Sequence, residues 1–262
     1  MCGRYVIIST VEAYEKKFNA SALMPWNLNY NVSAGQKAPI ITSEKPQEIQ
    51  LAHFGYTPHW SRKRTWVINA RAEGDHNQEN HPDFRGSKGI LKKPFFRHTI
   101  RNKRCLVLAD AFIEGTTKEK LKKPYLVYLK DKNRPFAMAG IYDEWVDENS
   151  GEILTSFAII TCPPNAVLQK IPHHRMPVIL HESQYRKYLN LNTDLSDITA
   201  MLEKYPSKEM NAYPIDPAIS KVKTNQKEAI LPIGEPLFKE FNWQFKQDVK
   251  LYGMGENRTL KK

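Results

Sequence analysis

Cysteine is scarce in this 262-residue chain: three residues, at 2, 105 and 162. They are too few and too far apart for a disulfide framework, a CxxC redox pair or a zinc ribbon. Such usage implies a reducing compartment, so the expected location is the cytoplasm. Long apolar runs are missing as well. The stretch behind Arg4 covers only Tyr5 to Ile8, far short of a signal-peptide core, and nothing approaches the ~20 residues that span a bilayer, so no membrane partner is expected. No repeat, low-complexity tract or flexible linker divides the chain. Acidic residues are in deficit, 28 against 39 Lys and Arg, leaving a formal net charge of +11. A deficit of that size points to a polyanionic partner, because clustered cations gain affinity by releasing counterions from phosphates. The plainer alternative is a solvated basic face.

What is present is enough for a real core, with 41% of residues hydrophobic. Ser9-Thr10-Val11-Glu12 reads as a capping box opening a helix that carries Val11, Tyr14 and Phe18 on one face. Apolar, β-prone runs follow at 105–108, 125–129, 136–141 and 157–161, separated by turns such as Asp131-Lys132-Asn133-Arg134-Pro135. Two helices are expected near Glu182–Leu189, capped by Ser183, and Asp194–Tyr205, then a short strand through Asn211–Ile215. The fold class expected is α+β: a single monomeric domain over 1–235, built on a largely antiparallel β-sheet or barrel with flanking helices. Residues 236–262 form a loosely ordered C-terminal extension in this reading.

The chemistry-bearing segments begin at Met1-Cys2-Gly3-Arg4. Methionine aminopeptidases act where the second side chain is small, so the mature chain is expected to start at Cys2. An α-amine with a reference pKa of ~7.7–8.0 and a thiol near ~8.5 then share one residue. Asn69 follows the apolar Trp66-Val67-Ile68, where a strand delivers a side chain to its end. Asp110 to Gly115 places carboxylates in an apolar neighbourhood, where desolvation raises their pKa. Ile171 to Val178 puts His173, His174 and Arg175 on a proline-bounded loop. Trp60-Ser61-Arg62-Lys63-Arg64-Thr65-Trp66 sets three cations between two tryptophans, the ingredients of single-strand binding. Each segment alone also has a bland reading as cap, turn partner or solvated loop.

Taken together, these segments resemble the SRAP domain family. Its N-terminal MCGR stands at 1–4, its YNVAP stretch at Tyr30 to Ala34, its WGYxPxW element at Phe54 to Trp60 and its NARxE at Asn69 to Glu73. Its RCLxPADGFYEW stretch is Arg104 to Gly115, and its HDRMP is His173 to Pro177. Six motifs in preserved order are far more specific than any one of them. Departures are Ala34 for proline, Phe54 for tryptophan, Ala111, Ile113 and Gly115 in the acidic motif, and His174 for aspartate.

The resemblance implies a sensor of abasic sites in single-stranded DNA that links itself to the lesion through Cys2, with no cofactor and no metal. It implies that Glu114 is the acid/base group beside the Cys2 amine, that His173 assists sugar opening, and that Asn69 positions the sugar or the terminus. Arg4, Arg71 and Arg175 carry over as phosphate clamps, with Trp60 on the DNA-binding surface. The family is also described as autoproteolytic or peptidase-like. The rival reading is an N-terminal-nucleophile amidohydrolase of the glutaminase kind, which also begins MCG.

Overall fold

Segments rich in Val, Ile, Tyr and Phe become strands in the computed structural model, which describes residues 2–130, 134–240 and 245. The turn expected at Asp131-Lys132-Asn133 and most of the expected C-terminal extension lie outside the described residues. The strands are β1 (Arg4–Ile7), β2 (Ser21–Ala22), β3 (Asn29–Ser33), β4 (Lys37–Thr42), β5 (Glu48–Phe54), β6 (Asn69–Arg71), β7 (Arg104–Ala109), β8 (Ala111–Thr116), β9 (Lys120–Leu129), β10 (Phe136–Val146), β11 (Ile153–Cys162), β12 (Met176–Pro177) and β13 (Met210–Pro214). The helices are α1 (Val11–Phe18), α2 (Thr99–Asn102), α3 (Ala166–Lys170), α4 (Tyr185–Leu189) and α5 (Leu195–Ala200).

Antiparallel pairing runs β11–β10–β7–β4–β5, and a parallel contact of Ser156 with His53 and Phe157 with Phe54 returns β5 to β11. That circuit closes a five-strand barrel and removes its edges. A second, five-stranded sheet runs β13–β9–β8–β1–β3. Asp110 alone separates β7 from β8, so the chain passes from barrel to sheet in one residue. The α+β architecture expected from the sequence is therefore present.

Period-two alternation explains why β1 is central. Tyr5 and Ile7 enter the main core while Val6 and Ile8 pack with Ala111, Ile113 and Leu126 on the opposite face. Burying a Val or Ile side chain contributes roughly 1.5–3 kcal/mol, so these few residues pin the N-terminal segment between β3 and β8.

Asp110 also moves the start of the first helix. Its carboxylate accepts from the Ile8 and Ser9 backbone N–H groups at 2.7 and 2.9 Å, from Tyr14 Oη at 2.7 Å and from the Ser9 hydroxyl. With Ser9 so engaged, the cap is Thr10, whose Oγ1 accepts from Ala13 N–H at 3.3 Å. At the second expected helix, His181 N–H donates to Gln184 Oε1 rather than Ser183 acting as the cap, and a 3₁₀ turn precedes α4. The helix expected to reach Tyr205 stops at Ala200. Strands β3 to β5 carry no sequence expectation. β4 contains Pro39, and β5 alternates less cleanly than the later runs.

Candidate active site

Cys2, separated from β1 by Gly3, is only 2% exposed. Asn69 Nδ2, on the first residue of β6, donates to its carbonyl at 3.1 Å. The parallel pairing of β6 with β11 fixes where that donor stands. Glu114, in the middle of β8, puts its carboxyl against the Cys2 thiol. His173 arrives from the loop behind α3, which is locked by His173 N–H donating to the Leu168 carbonyl at 2.9 Å. The four residues expected to carry the chemistry thus meet, from four separate segments of chain.

The hydrogen bonds assign the protons. His173 Nδ1 lies 2.8 Å from the Gly115 carbonyl, which can only accept, so Nδ1 carries the hydrogen and the neutral ring turns the Nε2 lone pair elsewhere. Nε2 is 3.3 Å from Glu114 Oε2. Burial raises the Glu114 carboxyl to about 7 and lowers His173 to about 3. Both shifts favour neutral partners, and the proton they share belongs to the carboxyl. Near neutral pH Glu114 therefore interconverts readily between acid and base. Burial, with the Glu114 carboxyl next, pushes the Cys2 thiol well above its usual range. Glu114 Oε1 and Asn69 Oδ1 are buried without a hydrogen-bond partner, although most buried polar atoms are satisfied.

This cluster opens into a cavity of about 640 Å³ lined by Gly3, Arg4, Arg71, Glu114, His173 and His174, among others. Arg71 also borders a neighbouring cavity of about 330 Å³ together with Asn69, Lys93, Phe96 and Arg175. Arg71 is half-buried, and its Nη2 donates to Asn80 Oδ1 at 2.9 Å. Arg4 lines the main cavity while donating to Asn31 Oδ1 at 2.8 Å and to the Ser220 carbonyl at 3.2 Å.

Two expected DNA contacts look different in the structure. Arg175 is not an open clamp: it is 2% exposed, and its terminal nitrogens pair with both Glu73 oxygens at 2.7 and 2.8 Å. Its Nη2 also donates to the Thr161 carbonyl at 2.8 Å, and Nε alone has no partner. Trp60 is exposed but does not line either cavity. It meets Phe95 edge-on, and Phe95 in turn meets Phe96 on the wall of the smaller cavity.

Glu73, in the NARxE stretch, and Asn31, in the YNVAP stretch, both hold the site together. Asn31 Nδ2 donates to the carbonyls of Ile219, Lys221 and Thr224, setting Val222 at the mouth of the main cavity. Sequence proximity cannot show such a partner, since nearly 200 residues intervene. Gly115 stands where a side chain has no room, because a Cβ there would lie 1.8 Å from the Lys120 carbonyl oxygen. The family's tryptophan at that place has no counterpart in this chain.

A sequence profile described as SOS response associated peptidase (SRAP) matches residues 1–222. Among individual proteins, the chain is 31% identical over 239 residues to the abasic site processing protein YoqW of Bacillus subtilis (strain 168), covering 88% of this chain and 99% of that one. It is 25% identical to the abasic site processing protein YedK of Escherichia coli (strain K12), covering 89% of this chain and all of the other. A crystal structure of a protein from Bacteroides thetaiotaomicron superposes with a TM-score of 0.74 at 28% identity, over 89% of this chain and 100% of that one.

Proposed function

The chain belongs to the SOS response associated peptidase (SRAP) family, and from that premise we propose that it recognises abasic sites in single-stranded DNA and fastens itself to them through Cys2. The observation that carries the reading is the placement of the Glu114 carboxyl, 3.3 Å from His173 Nε2, beside the Cys2 thiol. Relatives named as abasic site processing proteins support it.

The chemistry starts with hydrolytic removal of Met1, which exposes the Cys2 α-amine. An abasic deoxyribose opens to an aldehyde, with His173 assisting the proton movements of ring opening. The amine attacks the aldehyde carbon, and the carbonyl electron pair moves to oxygen. The Glu114 acid supplies the proton with which that oxygen departs as water, leaving an imine. The Cys2 sulfur then adds to the imine carbon and its proton ends on nitrogen, closing a five-membered thiazolidine. Amine, thiol and aldehyde give ring plus water, so no oxidant or metal enters the balance. Burial of Cys2 and Glu114 keeps bulk water away from an imine that it would hydrolyse. Arg4 and Arg71 on the cavity wall attract the flanking phosphates.

The test incubates purified mature protein with abasic single-stranded DNA and, separately, with glutamine. A denaturant-resistant adduct with the mass of protein plus DNA less one water is expected, with no release of ammonia. Glutamine hydrolysis without an adduct would establish the amidohydrolase reading instead.

A further inference from the structure

His174 stands at the edge of the main cavity where the family pattern has aspartate, and nothing in the chemistry above uses it. Its ring stacks on that of His173, with centroids 5.1 Å apart and planes 22° from parallel. Its Nδ1 is 2.9 Å from Thr117 Oγ1, and that hydroxyl is 3.0 Å from the Pro172 carbonyl. The hydroxyl has one hydrogen and the carbonyl can only accept, so Thr117 donates to Pro172 and accepts from His174 Nδ1–H. The tautomer is thereby set, leaving Nε2 as the ring's lone-pair nitrogen.

The charged side chains around this ring are mostly cationic. Burial first, then the positive charges of Arg175, itself paired with Glu73, and of Arg71 on β6 hold the ring below the usual histidine range. Arg4 and Lys120 line the same cavity, as does Glu114, whose Oε2 is 3.3 Å from His173 Nε2. An uncharged imidazole half-buried among cations, with one nitrogen committed and the other open, suits a ligand that brings negative charge.

We propose that His174 is a phosphate-binding residue that takes up a proton through Nε2 as the DNA backbone enters the cavity, so that DNA binding by this chain is coupled to protonation. The step balances as neutral imidazole plus one proton from solvent giving imidazolium, with no bond otherwise made or broken. An incoming phosphate reverses the local field that keeps the ring neutral, and the imidazolium then donates from Nε2 while Nδ1 keeps its bond to Thr117. An aspartate at 174 would oppose the same phosphate.

The inference rests on the DNA-binding reading, and the test separates the two. The probe is a single-stranded oligonucleotide carrying a tetrahydrofuran in place of one nucleoside, which has no aldehyde and cannot crosslink. Calorimetric titrations in two buffers of different ionisation enthalpy, between pH 6 and 8 at fixed ionic strength, count protons taken up. The unaltered protein is expected to take up as much as one proton more per DNA than His174→Asn, whose amide keeps a donor for Thr117. His174→Gln, which hydrogen-bonds without titrating, should match His174→Asn. Affinity of the unaltered protein should then fall by up to tenfold more per pH unit than that of either variant. Equal proton counts in all three proteins would overturn the role of His174 while leaving DNA binding intact. No binding of the oligonucleotide by the unaltered protein would overturn both.

Discussion

At the scale of single residues, the site depends on which atom holds a proton. Cys2→Ala removes the sulfur that closes the proposed thiazolidine, so this variant is expected to bind DNA but form no stable adduct on a denaturing gel. Cys2→Ser, once its methionine is removed, should give only an imine that borohydride traps. Glu114→Gln should slow adduct formation by ~10²–10⁴-fold, the usual contribution of a general acid–base group. The same substitution bears on stability with a definite sign. Because burial raises the folded-state value of Glu114 from 4.5 to about 7, protonation favours the native state. That contribution is complete below about 4.5 and lost as pH rises through about 7. Above it, the ionised carboxylate costs roughly 3 kcal/mol, from ~1.36 kcal/mol per pKa unit. Denaturant titrations should therefore find Glu114→Gln more stable than the unaltered protein at pH 8, with that advantage gone at pH 4. An equal difference at both values would show that folding leaves the titration of Glu114 unshifted.

Among elements, the pair of Arg175 behind β11 and Glu73 behind β6 ties the histidine loop to the strand that carries Asn69. A buried charge left without its partner costs about 3–5 kcal/mol, so Glu73→Leu should lower the unfolding midpoint far more than Glu73→Leu combined with Arg175→Met. A double variant as unstable as the single one would mean that shape rather than charge sets the cost. Elements also show how far the sequence could be read. Strands β7, β9, β10 and β11 were legible because continuous apolar runs bounded by turn residues admit few other structures. So were Cys2, Asn69, Glu114 and His173, which stand in motifs. The partner of Arg175 was not legible, because the bond to Glu73 crosses 102 positions and no local pattern marks it. The first helix began one residue late for a similar reason, since Asp110, a hundred positions away, takes Ser9. Glu182 to Leu189 divided into a 3₁₀ turn and a short helix, where periodicity alone suggested one helix.

For the whole molecule, the excess of cations predicts how binding responds to salt. Affinity for intact single strands should fall with a log–log slope of about −0.7 for each phosphate neutralised. Arg71→Ala should make that slope shallower by roughly one phosphate, because its guanidinium borders both cavities. Arg175→Ala is expected to act differently. It leaves Glu73 buried and unpaired, so the loss should register in thermal unfolding. An Arg71→Ala protein with an unchanged slope, measured by fluorescence anisotropy across salt, would place the phosphate contacts elsewhere on the basic surface.

The central position of β1 also imposes a schedule. Its two neighbours are β3 and β8, and β8 ends 112 positions after β1 begins. At a synthesis rate of ~5–20 residues per second, the first residues emerge on the order of ten seconds before the strand that encloses them exists. On the proposed Cys2 chemistry, removal of Met1 by an aminopeptidase is expected within that interval, while the start of the chain is still unpaired. Afterwards Cys2 is buried, so an aminopeptidase acting from outside is expected to cut the bond behind Met1 slowly. On that reading, whether a molecule is armed is decided once, during its synthesis on the ribosome. Chains refolded from denaturant with Met1 still attached should stay unreactive toward abasic DNA even when aminopeptidase is added later, whereas adding the peptidase before refolding should restore the adduct.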